Sequence, residues 1–309
     1  MNSYPEKSKR NRKRFSWGND NVQIALMLFP MMAGFFLFTY VPILYLVRCS
    51  FFSSNGFKEQ YVALKNFARI FTRDYDYWRA VATTFILALG KLAVQIPLAL
   101  LLAVILNRGL KGTAFFRVIL FLPAIIAGSI AGLAFSLLFA SYNGMINGML
   151  ESINLPAVGW FEHTGTALFV IGLASIWNNF GVTMIFFLSA LQTVPGELYE
   201  CAAMDGITPV KRFFNITLPM IGPTFTAVLL LGIIGALKMA DLILASTNGQ
   251  PSGGTEVVMT YVFKYFFGYD LRQTEIGYAS AMAVVTAFIL ALVALIYNRL
   301  TRKLANAFD

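Results

Sequence analysis

The residues of this 309-residue chain best equipped for chemistry fall into a few small groups. The first lies in the segment 197–219, where Glu197 and Glu200 stand beside Ala202 and Ala203, Asp205 precedes Gly206, and Thr208-Pro209 leads into Lys211-Arg212 and Phe213-Phe214. Acidic residues favour a helix start. Gly enters the left-handed region freely and stops a helix, and Thr before Pro reads as an N-cap followed by the first helical position. The pattern predicts two short helices broken at Gly206, with Pro219 turning the chain back toward an apolar stretch. Such a unit either presses into a pocket on another protein or is an ordinary polar connection. The second group is Trp177, Asn178 and Asn179, inside an apolar run. Amides match sugar hydroxyls and an indole face stacks on a pyranose ring; the competing use is hydrogen bonding between helices. Lys91 with Gln95 and Lys238 with Asp241 complete the set, each pair spaced to share one helix face. Ionisable groups within apolar runs are costly and point to function. Lys238 and Asp241 can also neutralise each other or snorkel, and Lys91 with Gln95 can instead serve a subunit contact.

Other chemistries lack their residues. His163 is the only histidine, so no His-based metal site or triad can be built. A phosphate-binding loop needs a Gly-rich turn ending in Lys-Ser/Thr. Gly90-Lys91 is followed by Leu92, and Gly253-Gly254 has no following Lys, so both read as packing or turn glycines. No cofactor or metal is expected, and any nucleotide chemistry must come from a partner.

The elements that position these groups must lie in lipid. Hydrophobic residues make up 58% of the chain and charged residues 13%, against about 25% charged in soluble domains, and mean hydropathy is +0.67. Spanning helices of about 20 residues are expected at 24–47, 85–106, 115–139, 167–191, 225–244 and 276–296. The first is too long for a signal peptide and reads as a retained anchor. Lys7, Lys9, Arg10, Arg12, Lys13, Arg14, Arg108, Lys111, Arg117, Lys211, Arg212, Arg299, Arg302 and Lys303 fall on one side. The other side carries half as many: Lys58, Lys65, Arg69, Arg73, Arg79, Lys264 and Arg272. The positive-inside rule then puts both termini in the cytoplasm, and Cys49 and Cys201 on opposite sides, unable to pair. The net charge of +9 is read as this bias and as contact with anionic membrane lipid, not as a nucleic-acid surface.

The spacing Glu200-x-Ala202-x-x-x-Gly206, then Ile216-x-Leu218-Pro219, resembles the EAA loop of bacterial ABC importer permeases, in its sugar-importer form. Cys201 and Ile207 depart from that pattern by standing where Ala is common. Asn248-Gly249-Gln250-Pro251 with Thr255, the opening Gly277-Tyr278-Ala279-Ser280-Ala281, Trp160, Trp177 and the run Leu191-Gln192 to Pro195 are similar to sugar permeases as well. The resemblance implies an all-α, six-helix type-1 importer domain of the bacterial plasma membrane. Its divisions would be a basic N-terminal segment (1–23), a first transmembrane helix (24–51), an external linker (52–79), a permease core (80–299) and a cytoplasmic tail (300–309). It implies half of a heterodimeric pore, completed by a second homologous permease subunit, two cytoplasmic ABC ATPase subunits and an extracytoplasmic solute-binding protein, and carrying a sugar. Glu200, Ala202, Asp205 and Gly206 would then meet the ATPase. Rival readings are a permease for a glycerol-phosphate compound, which needs a cationic cleft; a self-sufficient secondary transporter, which needs inverted repeats; and a membrane-embedded enzyme, for which no HExxH, intramembrane histidine or obvious intramembrane acid pair is present.

Overall fold

The computed structural model describes residues 17–109, 111–268 and 274–305. The basic cluster Lys7, Lys9, Arg10, Arg12, Lys13 and Arg14, together with Arg272 and the end of the tail (306–309), lies outside the described residues.

Helix α1 (Trp17–Phe35) runs through a π-helical turn at Phe36–Tyr40 into α2 (Val41–Ser50). Residues 22–50 hold a lipid-crossing window that buries none of its residues within the chain; among the side chains described there, only Cys49 and Ser50, at its end, are buried. A small antiparallel hairpin follows, β1 (Phe52–Ser54) with β2 (Glu59–Tyr61), pairing Phe52 with Tyr61. Asn66 on α3 (Lys65–Thr72) holds it by donating to Ser50 O and Phe52 O, each at 2.9 Å. The expected external linker spans this region as far as residue 79. Instead α4 (Tyr75–Asn107) begins inside it, because the Asp74 carboxylate caps the helix by accepting from Tyr77 N at 2.9 Å.

The expected crossing 115–139 does not form one straight helix. It consists of α5 (Thr113–Phe121), a 3-10 turn at Leu122–Ile125 and α6 (Gly128–Leu138), bent by 95°. Pro123 and the extended Ile126 interrupt the hydrogen-bond ladder there. Then come α7 (Met145–Ser152) and the long α8 (Thr164–Leu191). Beyond it lie α9 (Gly196–Met204), α10 (Pro209–Arg212), a π-helical turn at Phe213–Thr217, α11 (Leu218–Met220) and α12 (Gly222–Leu237). Pro219 does not end that unit; it sits at the start of α11, and the 72° bend falls after Met220. The expected crossing 225–244 also breaks, at Lys238–Ala240, before α13 (Asp241–Ser246). Helices α14 (Val258–Phe267) and α15 (Ile276–Ala305) complete the chain. By length and composition the described residues hold 4 helices able to cross a membrane alone, or up to 6 crossings if each bent pair is one.

Lipid supplies no hydrophobic drive between helices, so close packing through small residues decides which pairs form. Ala99 and Ala103 of α4 are fully covered and meet Met184, Phe187 and Leu191 of α8. Leu87 of α4 meets Ile171 and Ala174, so α4 and α8 run in the same direction. The other close pair is α6, beyond the 95° bend, with α13, beyond the 238–240 break. A methyl group added at Gly132 would stand 2.4 Å from Leu242 O. Replacing a helix-interior Gly by Ala ordinarily stabilises by about 0.5–1 kcal/mol, and at Gly90, where nothing lies within 4 Å, that gain is expected. Gly132→Ala must overpack a backbone contact instead, costing about 1–3 kcal/mol. Thermal unfolding of the detergent-purified protein should therefore rise for Gly90→Ala and fall for Gly132→Ala. An unchanged midpoint for Gly132→Ala would contradict the close approach.

Candidate functional site

The loop between α8 and α12 folds as its residue types dictate. Glu197 lies in the first turn of α9, and Gly206 follows it with φ +71°. Gly206 N donates to Ala203 O at 3.1 Å and Ile207 N to Ala202 O at 2.9 Å, closing the helix end with a left-handed residue. Thr208 takes extended geometry before Pro209, but its side chain makes no capping bond. Glu200, Asp205 and Gly206 are exposed. Ala202, expected to meet a partner, is 3% exposed. Its methyl is covered by its own chain, so it seats α9 and leaves the acidic edge facing outward. Two bonds clamp α9 to the helix after it: Tyr199 OH with Thr217 Oγ1 at 3.0 Å, and Arg212 Nη1 donating to Tyr199 O at 3.3 Å. Between this loop and the end of α4 lies a cavity of about 870 Å³.

The polar residues inside the bundle sit farther along the same helices. Gln95 is 3% exposed and its Nε2 donates to Thr183 Oγ1 of α8 at 2.8 Å. Lys91, one turn earlier, is 7% exposed. Asn178 donates its amide to Pro123 O and Ile126 O, both at 2.9 Å. Those carbonyls belong to the interrupted part of the expected crossing 115–139. The residue proposed to meet sugar hydroxyls thus spends its donor on backbone that lipid would leave bare. Asn179 likewise donates to Ser175 O at 2.9 Å and to Asn178 Oδ1 at 3.2 Å. Trp177 is partly exposed and packs a ring face near Phe135, centroids 5.6 Å apart. Lys238 and Asp241 are both exposed and form no ion pair. The expected shared face needs a continuous helix, and the break at 238–240 removes it. Asp241 lies instead over Gly128, where an added methyl would stand 2.3 Å from its Oδ2.

At the opposite end of the bundle, Asp74, Tyr261, Glu256 and Glu275 were not singled out in the sequence, and Tyr278 and the turn at 248–255 were named only by resemblance. Tyr261 OH donates to Asp74 Oδ1 at 2.7 Å, and Tyr278 OH donates to Asp74 Oδ2. Burial first, then bonding to Tyr265 and Asp74, pushes the Tyr261 hydroxyl up from its ordinary value, which keeps it a donor. Arg69 pairs with Glu275 at 2.5 Å and covers the Tyr278 ring at 3.9 Å. Lys264 pairs with Glu256 at 3.1 Å with both side chains buried, and also donates to Asn248 O at 2.8 Å. Thr255 Oγ1 donates to Gln250 O at 2.7 Å, fixing the Asn248–Thr255 turn. A sequence signal did exist for the α6 contact: Gly128 and Gly132 form a Gly-x-x-x-Gly spacing.

Residues 95–306 match the model of a family described as binding-protein-dependent transport system inner membrane component. The chain is 34% identical over 290 residues to the probable ABC transporter permease protein YesP of Bacillus subtilis (strain 168), covering 92% of each. It is 30% identical over 276 residues to the arabinooligosaccharides transport system permease protein AraP of the same organism, covering 88% of this chain and 86% of the relative. The crystal structure of a bacterial alginate ABC transporter in complex with an alginate pentasaccharide-bound periplasmic protein superposes with a TM-score of 0.81 at 25% identity, over 93% of this chain and 96% of that one.

The two roles open to Asn178 give opposite results on substitution. Asn178→Asp keeps an acceptor for hydroxyls but has no N–H to donate. Both Asn178→Ala and Asn178→Asp should lower the melting point of the purified protein, each carbonyl left bare costing about 1–3 kcal/mol. Normal stability in both, with weakened uptake alone, would return Asn178 to the solute path.

Proposed function

Because the chain belongs to the binding-protein-dependent transport family of inner membrane components, we propose that it forms one half of a heterodimeric pore that imports an oligosaccharide and takes its drive from ATPase subunits through the loop 197–219. The chain is a multi-pass ABC importer permease of the carbohydrate-uptake class and not itself an ATPase. The observation that carries the finer reading is the pair of short helices hinged at Gly206, with Glu200 and Asp205 exposed on the outward edge. An acidic, compact knob held to its own bundle by Tyr199 and Arg212 suits a cleft on a soluble partner. In this reading the knob is cytoplasmic, both termini are cytoplasmic, the bent pairs each make one crossing, and the hairpin end faces the solute-binding protein. Trp177, Lys91, Gln95, Lys238 and Asp241 stay as candidates for the solute path, with Asn178 and Asn179 holding its wall.

An acidic cargo is a second reading within the same architecture. Lys238 is exposed at a helix break, and Lys91 is buried with no carboxylate paired to it among the described residues. Alginate, carried by the structurally similar transporter, is an acidic polysaccharide. Competition for uptake between neutral oligosaccharides, uronate oligomers and glycerol phosphate separates the two.

Cys201 is exposed on α9 and Cys49 is buried near the hairpin, so the native thiols report orientation without engineering. In membranes stripped of peripheral proteins, an impermeant maleimide is expected to label Cys201 from the cytoplasmic side alone. Affinity purification from the native host should bring down ATPase subunits and a second permease, and a Glu200→Ala, Asp205→Ala double variant should lose the ATPase while keeping the second permease. Labelling of Cys201 from outside, or uptake in vesicles without an ATPase, would overturn the reading.

A further inference from the structure

The cavity beside the loop has two unlike ends. On α4 it is lined by Pro97, Leu100, Leu101, Val104, Asn107 and Arg108, positions spaced to form a single stripe along the helix. That stripe is apolar as far as Val104 and turns polar and then cationic at Asn107 and Arg108. The facing wall is also mixed, with Val210, Phe213 and Phe214 beside Arg212. Leu101, Val210 and Phe214 are 58%, 67% and 59% exposed, a large uncovered apolar area. From Pro97 to Arg108 the stripe rises about 16 Å at 1.5 Å per residue, close to the roughly 15 Å depth of one leaflet's hydrocarbon.

The charges at the shallow end are of one sign. The lining holds two arginines and no carboxylate. Arg108 forms no ion pair among the described residues. Arg212 uses one nitrogen on Tyr199 O, and its buried Nε has no hydrogen-bond partner. A sugar does not suit the deep end, because the leucines, valine and phenylalanines offer nothing to its hydroxyls. A soluble ATPase cannot follow the stripe into the apolar span of α4. A molecule with an apolar tail and an anionic head matches both ends.

We propose that this groove binds an anionic phospholipid of the cytoplasmic leaflet, its acyl chain along Leu101, Val104 and Phe213 and its phosphate between Arg108 and Arg212. Guanidinium groups take phosphate oxygens through paired, charge-assisted hydrogen bonds, and basic pockets beside transmembrane helices on this side suit such headgroups. The lipid then bridges α4 to the segment that carries the loop into α12. The proposal rests on the reading of that loop as cytoplasmic.

The test uses the intact transporter, purified in mild detergent from membranes containing phosphatidylglycerol, with retained lipid measured by mass spectrometry. Arg108→Gln, at an exposed position, and Leu101→Trp, which fills the groove, should each lower retained phosphatidylglycerol several-fold, while Arg108→Lys keeps more of it and phosphatidylethanolamine is unaffected. In vesicles of phosphatidylcholine alone, coupled ATP hydrolysis by the wild type should fall toward that of Arg108→Gln, and adding phosphatidylglycerol should restore only the wild type. Equal retention in all variants, or photo-crosslinking from position 101 on α4 to the second permease subunit instead of to lipid, overturns the proposal. Cysteine labelling and ATPase co-purification read the parent assignment separately: if they hold while lipid retention does not change, only the lipid site falls.

Discussion

In hydrocarbon no water can complete the backbone, so every interrupted helix must find its hydrogen-bond partners within the protein. This chain breaks two of its expected crossings, and much of its interior follows from that. Where residues 115–139 pass through the 3-10 turn at Leu122–Ile125, Asn178 of α8 reaches across and donates to Pro123 O and Ile126 O. Where residues 225–244 break at 238–240, α13 lies against α6, close enough that Gly132 has no room for a side chain beside Leu242 O. Helix α8 is itself tied to α4 through Gln95 and Thr183. The broken segments, α8 and α4 therefore form one connected set, and the polar residues within the bundle are largely the ties that hold it.

The loop is braced by its own hydrogen bonds and meets that set through chain connectivity and packing. Tyr199 of α9 contacts Thr217, at the end of the π-helical turn, and Arg212 returns to the Tyr199 carbonyl. Ile221, at the 72° bend, is 2% exposed and packs in the same apolar cluster as Phe187 and Leu191 of α8. A displacement of α9 thus meets a braced connection to α12 and to the end of α8. Gly206 lies outside that connection, with nothing within 4 Å of where its Cβ would be, and sets only the angle between the two short helices.

What could be read in the sequence divides along the same line. Long apolar runs located α4, α8 and α15 because lipid enforces a length and a composition. The loop was legible because Pro, Gly and acidic residues act locally. The bends were not, since residues 115–139 and 225–244 are apolar throughout enough of their length to satisfy any spanning criterion, and the carbonyls freed at the first break are met by an amide from another helix. For the same reason Asn178 looked like a ligand for hydroxyls: an amide within a span has unmet donors either way, and only the fold shows who accepts from it. Lys238 and Asp241 were paired on the assumption of helical continuity, which failed at the residues between them. The Asp74 cluster was invisible because its tyrosines come from α14 and α15, far away in the chain.

The two ends of the bundle are held unequally. At the hairpin end, Asp74 joins the start of α4 to α14 and α15, Arg69 joins α3 to Glu275, and the buried Glu256–Lys264 pair locks the turn before α14. Breaking a buried pair of that kind costs about 3–5 kcal/mol, so this end resists opening. At the loop end the described residues are held mainly by apolar packing among Ala103, Leu106, Leu188, Leu191 and Ile221, with Tyr297 OH donating to Thr226 O at 2.6 Å and the Tyr199 bonds to Thr217 and Arg212, beside an open groove. Local opening follows the distribution of buried contacts. The hairpin end is thus held by directional polar ties that a small displacement breaks, and the loop end mainly by non-directional apolar contact, which tolerates sliding.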